Sequence, residues 1–368
     1  MRCGTAFVAL LLLAGFAPRV ATAGPALVIE VSNSKVLHAE DADNLWHPAS
    51  LTKIMTAYLV FEAIKTGKLD LKAKIPCSAA ANAQPPSKIG VAIGNELTVN
   101  VALNALIIKS ANDAAVMLAE AVAGSEAEFV ARMNATAKRL GMERTNFVNP
   151  NGLPAPDQVT TARDLAKLAR AVLKDFPEYE YLWSKPEMRL GKQRMVTHNG
   201  LLRSFEGADG MKTGFTCDSG FNVVATASRD GRRIIAVVLG DTSSGERNVR
   251  AASLLEFGFQ QTGWKQLFNS TTIDNMPMAT AAAVRSVRSD VTSWGCNERK
   301  ARVAKSKAKK KAVAKAPGKK KMTPAAAEAA EKPSTVTVDV PQTTGSTSPT
   351  VQLRGTMPPP AAASFAPQ

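Results

Sequence analysis

Only three histidines, His38, His47 and His198, occur in 368 residues, and none stands in a His-Glu-x-x-His or comparable zinc-binding spacing. No metal or other cofactor is expected on that ground. No Gly-x-Ser-x-Gly stretch is present either, which removes support for a hydrolase built on a nucleophile elbow. Cysteine is scarce. Of four, Cys3 falls in an amino-terminal leader, which leaves Cys77, Cys217 and Cys296. An odd number cannot all pair within one chain, so one disulfide with one free thiol and three reduced cysteines both stay open. Past the leader there is no run of 18 uninterrupted apolar residues, the minimum for a spanning helix.

Negative charge is missing from one stretch altogether. Between Arg299 and Lys321 lie twelve cations and no acid, and the rest of the chain carries 34 basic against 31 acidic residues, so the net charge of +15 is largely local. Pro, Ala, Ser, Thr and Lys dominate residues 300–368, too little apolar surface to offset the entropy of ordering. A solvated, disordered tail over 299–368 is expected. Its functional alternative is attraction to an anionic wall polymer or membrane surface, at about 1 kcal/mol per cation near that surface. Arg2, the apolar run Ala6 to Phe16 and the small residues Ala21-Thr22-Ala23 read as a signal peptide over 1–23. Export to the periplasm or cell envelope follows, with an uncleaved anchor as the lesser alternative and no nucleic-acid partner expected.

What the chain does contain is centred on His47-Pro48-Ala49-Ser50-Leu51-Thr52-Lys53. Ser50 opens a predicted helix whose apolar stripe is Leu51, Ile54, Met55, Tyr58, Leu59 and Phe61, ending at Gly67. Residues three apart share a helix face at about 5–6 Å, so the hydroxyl of 50 and the amine of 53 can meet. The helix dipole and an apolar surrounding both disfavour the cation of Lys53, which suits it to act as a base. Taken alone, the pair also fits an N-cap serine beside a solvated lysine. Ser32/Lys35 and Ser306/Lys309 repeat the spacing in a turn and in the lysine run, where no apolar face accompanies them.

Along the rest of the chain, residues 26–40 read as a hairpin and 70–75 as a further strand. Residues 79–95 form a loop able to border a cleft, and 99–173 are mostly helix, broken at Ser110-Ala111-Asn112-Asp113 and at the turn Asn149-Pro150-Asn151-Gly152-Leu153-Pro154. After about Gly207 apolar strands 222–228 and 233–239 flank Asp230-Gly231, and a helix over 249–259 closes the domain. Strands at both ends around a helical insert predict an α/β (α+β) fold, an antiparallel sheet flanked by helices with an all-helical lobe beside it and a cleft between. The catalytic domain is placed at 24–264, with 265–298 a linker or short extension.

Two more polar stretches break apolar surroundings. Ser110-Ala111-Asn112 is the only Ser-x-Asn, and Lys212-Thr213-Gly214 leads into strand-like sequence. Each alone has a plain structural reading, a helix cap and an edge strand. Together with Ser50/Lys53, in this order, they resemble the active-site serine penicillin-binding proteins and serine β-lactamases. The finer resemblance is to the low-molecular-mass penicillin-binding proteins of the D-Ala-D-Ala carboxypeptidase family. It is carried by Pro48 to Lys53, Lys109 to Ala115, Asn149 to Leu153, Thr161 to Asp164, His198 to Leu202 and Asp209 to Thr216, and extends over roughly Pro25 to Trp264.

The resemblance implies a β-lactamase/DD-peptidase-like fold and a serine D-alanyl-D-alanine carboxypeptidase of peptidoglycan stem peptides, inhibited covalently by β-lactams. Ser50 would be the nucleophile and Lys53 its base. Ser110 would carry a proton to the leaving D-alanine, and Asn112 would orient Lys53 and substrate. Lys212, Thr213 and Arg247 would bind the substrate carboxylate, and Gly214-Phe215 would line the oxyanion site with the Ser50 and Phe215 N–H groups. A solvated cation at a helix start is the competing view of Arg247. Ala111 stands where class A β-lactamases mostly have aspartate, and no deacylating glutamate is evident, so fast β-lactam hydrolysis is not expected. A DD-endopeptidase or weak β-lactamase of the same fold remains an alternative, and a non-catalytic wall-binding protein another, disfavoured because binding needs no proton relay. Neither a second β-rich domain nor a terminal amphipathic helix is expected.

Overall fold

The computed structural model describes residues 24–261, 270–280, 282–291 and 296. The signal peptide expected over 1–23 and the tail expected over 299–368 lie outside the described residues. In chain order the elements are β1 (Ala26–Glu30), β2 (Val36–Glu40), α1 (Lys53–Lys65), β3 (Lys74–Pro76), α2 (Ala79–Asn82), β4 (Glu96–Thr98), α3 (Val99–Asn104), α4 (Asn112–Ala123), α5 (Glu126–Arg139) and α6 (Ala162–Asp175). There follow α7 (Glu180–Trp183), β5 (Glu187–Leu190), β6 (Gln193–Val196), α8 (Leu201–Ser204), β7 (Ala208–Thr216), β8 (Gly220–Arg229), β9 (Arg232–Asp241) and α9 (Ser244–Gln260).

The main sheet has the order β2-β1-β9-β8-β7, and every pairing is antiparallel. Its first and last strands meet, Ala26 opposite Val238 and Glu30 opposite Ile234. Side chains alternate between the two faces of a strand. Leu27, Ile29, Ile235, Val237 and Leu239 accordingly enter the large core under the helices, while Val28, Ile234, Ala236 and Val238 enter a second core under α9. Both faces are covered, which is why β8 and β9 read as continuous apolar runs.

α1 runs through the middle of the helical lobe, with Val60 and Ala57 buried in addition to the stripe expected from the sequence. Phe61 stacks on Tyr179 at 4.4 Å and meets Phe176 and Trp183 at 5.7 and 6.2 Å, fixing α1 against the segment after α6. Gly67 ends this helix in the left-handed region, at φ 71°. The hairpin β5–β6 was not foreseen, because its strands are short and carry exposed Arg189 and Arg194 instead of an apolar face.

Cys217 and Cys296 form a disulfide and Cys77 is a buried thiol, which resolves the choice left open by the cysteine count. Residues 270–291 are packed onto the domain, with Ile273, Val287 and Val291 in the large core. Here Arg163 makes a two-pronged ion pair with Asp43 at 2.6 and 2.8 Å, both side chains at most 5% exposed. Removing one partner would strand a buried charge. Asp43→Ala is expected to lower the unfolding free energy by about 3 kcal/mol or more, read as a lower denaturant midpoint at unchanged slope.

Candidate active site

Ser50 does not open α1 directly. It sits in a tight turn, Ala49–Thr52, entered through Ala49 at φ 49°, and the α-helix begins at Lys53. A left-handed alanine costs on the order of 1 kcal/mol or more, held here by close packing on both sides. A Cβ on Gly152 would lie 1.9 Å from the Ala49 carbonyl oxygen, and one on Gly214 would lie 2.8 Å from that of Pro48 and 3.1 Å from the Ser50 nitrogen. Glycine at these two positions lets two foreign backbones reach the serine's turn.

One turn on, Lys53 is 1% exposed. Its Nζ lies 3.0 Å from Ser50 Oγ and 2.8 Å from Asn112 Oδ1, and it donates a short bond to the Asn151 carbonyl. Burial first, and then the charge of Lys212, push its pKa well below the ordinary lysine value, with Asp113 opposing. A neutral amine has two N–H donors and one lone pair. With the amine neutral, the two acceptors Asn112 and Asn151 would take both donors and leave the lone pair for the Ser50 hydroxyl.

Ser110 ends the π-helical turn Ala105–Lys109 in the left-handed region, at φ 60°, and this delivers both it and Asn112 into the cleft. Lys212 Nζ donates to Ser110 Oγ at 3.0 Å and to the Thr213 carbonyl at 2.8 Å. Burial, then Arg247, bring the Lys212 pKa down to about 7. Asn112 Nδ2 donates to the Pro85 carbonyl at 2.9 Å and Asp113 accepts from the Ile89 and Gly90 N–H groups, so the loop over 85–90 closes this side as a cleft border.

β7 carries Lys212 to Phe215 and is an edge strand of the sheet, with β8 its one strand neighbour. Arg247, in the first turn of α9, is 3% exposed and donates to the His198 carbonyl and to Asn248 Oδ1, which removes the solvated-cation view. Burial lowers its pKa to about 10, opposed by Asp241. His198 lines the same corner. Loss of water around the ring, then Lys212, Lys109 and Arg247, hold its pKa at about 4.

Ser50, Lys53, Ser110, Asn112 and Lys212 therefore form one connected set, and Gly214 packs against the serine's turn. Thr213 is nearly buried on the same strand, and Phe215 half-buried. Sequence reasoning missed Asn151 as a partner of Lys53. The Asn-Pro-Asn-Gly cluster signalled a turn, but the aim of its carbonyl depends on where Asn149 and Gln158 hold it: Asn149 Oδ1 accepts from Gly152 N, and Gln158 Nε2 donates to the Leu153 carbonyl. A pocket of about 320 Å³ lies beside the residues that lead into Ser50, walled by Pro48, Ala49, Leu153, Pro154, Thr216 and Asp218 among others. Among the described residues no helix is long and apolar enough to cross a membrane, and no cluster of metal-ligating side chains occurs.

The sequence profile of the D-alanyl-D-alanine carboxypeptidase family matches residues 15–243. The chain is 36% identical over 243 residues to D-alanyl-D-alanine carboxypeptidase DacF of Bacillus subtilis, covering 64% of this chain and 62% of the relative, thus less than two thirds of its length. It is also 36% identical to DacC of Escherichia coli, covering 71% of this chain and 68% of that one. Penicillin-binding protein 5 of Haemophilus influenzae superposes with a TM-score of 0.63 at 34% identity, over 67% of this chain and 73% of the other. Penicillin-binding protein D2 of Listeria monocytogenes, solved with cefotaxime bound, gives 0.60 at 34% identity, over 65% and 97%. With the family profile matched over residues 15–243 and the β-lactamase-like fold of these structures shared, the chain belongs to the D-alanyl-D-alanine carboxypeptidase family.

Proposed function

We propose that this protein is a serine D-alanyl-D-alanine carboxypeptidase that removes the terminal D-alanine of peptidoglycan pentapeptides through an acyl-enzyme on Ser50. The observation that carries the reading is the buried Lys53 amine 3.0 Å from the Ser50 hydroxyl, with the Asn112 and Asn151 oxygens as its other two partners. Lys53 takes the serine proton as Oγ attacks the carbonyl between the two D-alanines. The N–H groups of Ser50 and Phe215 hold the oxyanion. The proton taken by Lys53 passes by way of Ser110 to the departing amine, so that both groups end the step as they began it, and Thr213, Lys212 and Arg247 receive the leaving carboxylate. Water then cleaves the ester, with the released acid as second product. β-Lactams, which copy the dipeptide, acylate the same serine. The disulfide supports export, since such bonds persist in oxidising compartments. For the twelve cations of 299–321, charge alone supports contact with an anionic wall or membrane surface.

The test is D-alanine release by the purified chain from a pentapeptide, measured beside cleavage of a cross-linked dimer. Faster cleavage of the dimer would make it an endopeptidase. Release from neither, with no penicillin label, would remove acyl transfer altogether.

The two lysines set the pH dependence. Neutral Lys53 gains population as pH rises through its lowered pKa, whereas cationic Lys212 is lost as pH passes about 7. The profile of kcat/KM, which reports the free enzyme, is expected to rise and then fall with its alkaline limb near 7. The substrate carboxylate favours the Lys212 cation, so the limb in kcat should lie higher. Arg247→Ala removes a repelling charge and should move the kcat/KM limb to higher pH. Because the two amines interact, the two limbs belong to the pair.

A further inference from the structure

Residues 270–291, with Cys296, fall outside the blocks shared with the family, yet they are fastened to both backbones that meet at the nucleophile. At one end Val36 N donates to the Thr271 carbonyl and Ile273 N to that of Ser34. Arg163, paired with Asp43, donates to the carbonyls of Met276 and Pro277, and Ala279 N donates to Asp43 Oδ2. Ala282 N reaches Asn44 Oδ1 at 3.0 Å. Asp43 and Asn44 lie just ahead of Trp46 and the turn that holds Ser50.

At the other end the fastening point is Asp218. It accepts from Arg288 Nε and Nη2 at 2.9 and 2.6 Å and from Ser286 Oγ at 2.9 Å, and its carbonyl accepts from Val287 N at 3.0 Å. The neighbouring Cys217 is bonded to Cys296, and Val287 Cγ2 fills the space a Cβ on Gly220 would need, 2.8 Å away. Cys217 and Asp218 come directly after Phe215 and Thr216. The two fastened backbones also touch each other, Trp46 Nε1 donating to the Ser219 carbonyl at 2.9 Å.

Each of these backbones supplies one of the N–H groups assigned to the oxyanion, Ser50 on the first and Phe215 on the second. An oxyanion site works only if both donors stand about 2.7–3.1 Å from the developing charge. β7 is an edge strand, so beyond β8 its end at Thr216 is held by the packing of Gly214 on the serine's turn and by the strap. We infer that residues 271–280 and 282–291, with Cys296, act as a positioning strap, clasped by Asp218–Arg288 and Cys217–Cys296, that keeps the two halves of the oxyanion site at working distance. The inference rests on the acyl-transfer reading of Ser50 and adds to it a role for a segment the family motifs do not include.

The experiment uses the full chain as Arg288→Ala, Cys296→Ser and the double variant. Acylation by a fluorescent penicillin is timed per site titrated at completion, well below the onset of melting, and binding of the tetrapeptide product is measured alongside. Misplacement of donors by fractions of an ångström should slow acylation about threefold in each single variant and about tenfold or more in the double. Tetrapeptide affinity should stay within twofold, and Arg288→Lys should recover at least half the lost rate. A double variant that acylates at the wild-type rate per titrated site, however much its melting temperature falls, overturns the strap; so does a loss of affinity as large as the loss of rate. If the wild type labels but releases no D-alanine from pentapeptide, the carboxypeptidase reading fails while the acylation comparison still judges the strap. A wild type that takes no label overturns both.

Discussion

Ser50→Ala is expected to take no label from a fluorescent penicillin and to release D-alanine from a pentapeptide about 10⁴-fold or more slowly than the wild type. The substitution removes a hydroxyl that is half-buried, touches Lys53 at 3.0 Å and carries no other hydrogen bond to a distant segment. Its turn is held by backbone packing against Gly152 and Gly214, neither of which changes. The fold should therefore survive, and the melting temperature should move by only a few degrees. An alanine variant that still labels would place the nucleophile elsewhere.

Lys53→Met is expected to slow acylation by about 10³-fold, within the range that general-base catalysis supplies. Methionine matches the length and volume of the buried side chain and keeps its apolar stem in the core. What it lacks is the lone pair facing Ser50 and the two donors held by Asn112 and Asn151. Loss of the donors leaves buried oxygens without partners, at about 1–3 kcal/mol, so unfolding must be measured beside the rate. Lys53→Arg separates chemistry from volume in the other direction. A guanidinium cannot become neutral near pH 7 and has no lone pair to offer, so raising the pH should restore nothing. Acylation of the methionine variant within tenfold of wild type, in a folded protein, would show that the serine proton leaves by another route.

Much of the site was legible along the chain because its parts are local patterns. Ser50 and Lys53 are three apart, which on a helical turn is a contact. Ser110-Ala111-Asn112 interrupts apolar helix where a cap or a function must explain it, and Lys212-Thr213-Gly214 puts a glycine in a strand where something must come close. The structure names what comes close at Gly214, the turn of Pro48 to Leu51. The expected start of the first helix at Ser50 was early by three residues, since Ala49 turns the backbone through a left-handed conformation that no propensity scale favours. Arg247 looked equally like a solvated cation because the sequence does not reveal that the His198 segment covers it.

Periodicity and spacing by themselves determined the longer helices and the apolar strands, and which polar residues have no reason to be there in a plain core. These are properties of neighbours, and neighbours are set by the 3.6-residue and two-residue repeats of the backbone. Only the tertiary structure decided that Lys53 meets partners 59 and 98 residues away and that Lys212 meets Ser110 across 102. It alone also paired Cys217 with Cys296 and tied the segment after α9 to the serine's turn. Such contacts depend on how whole layers pack, and burial in that packing is what pushes the pKa of the lysine beside the hydroxyl well down.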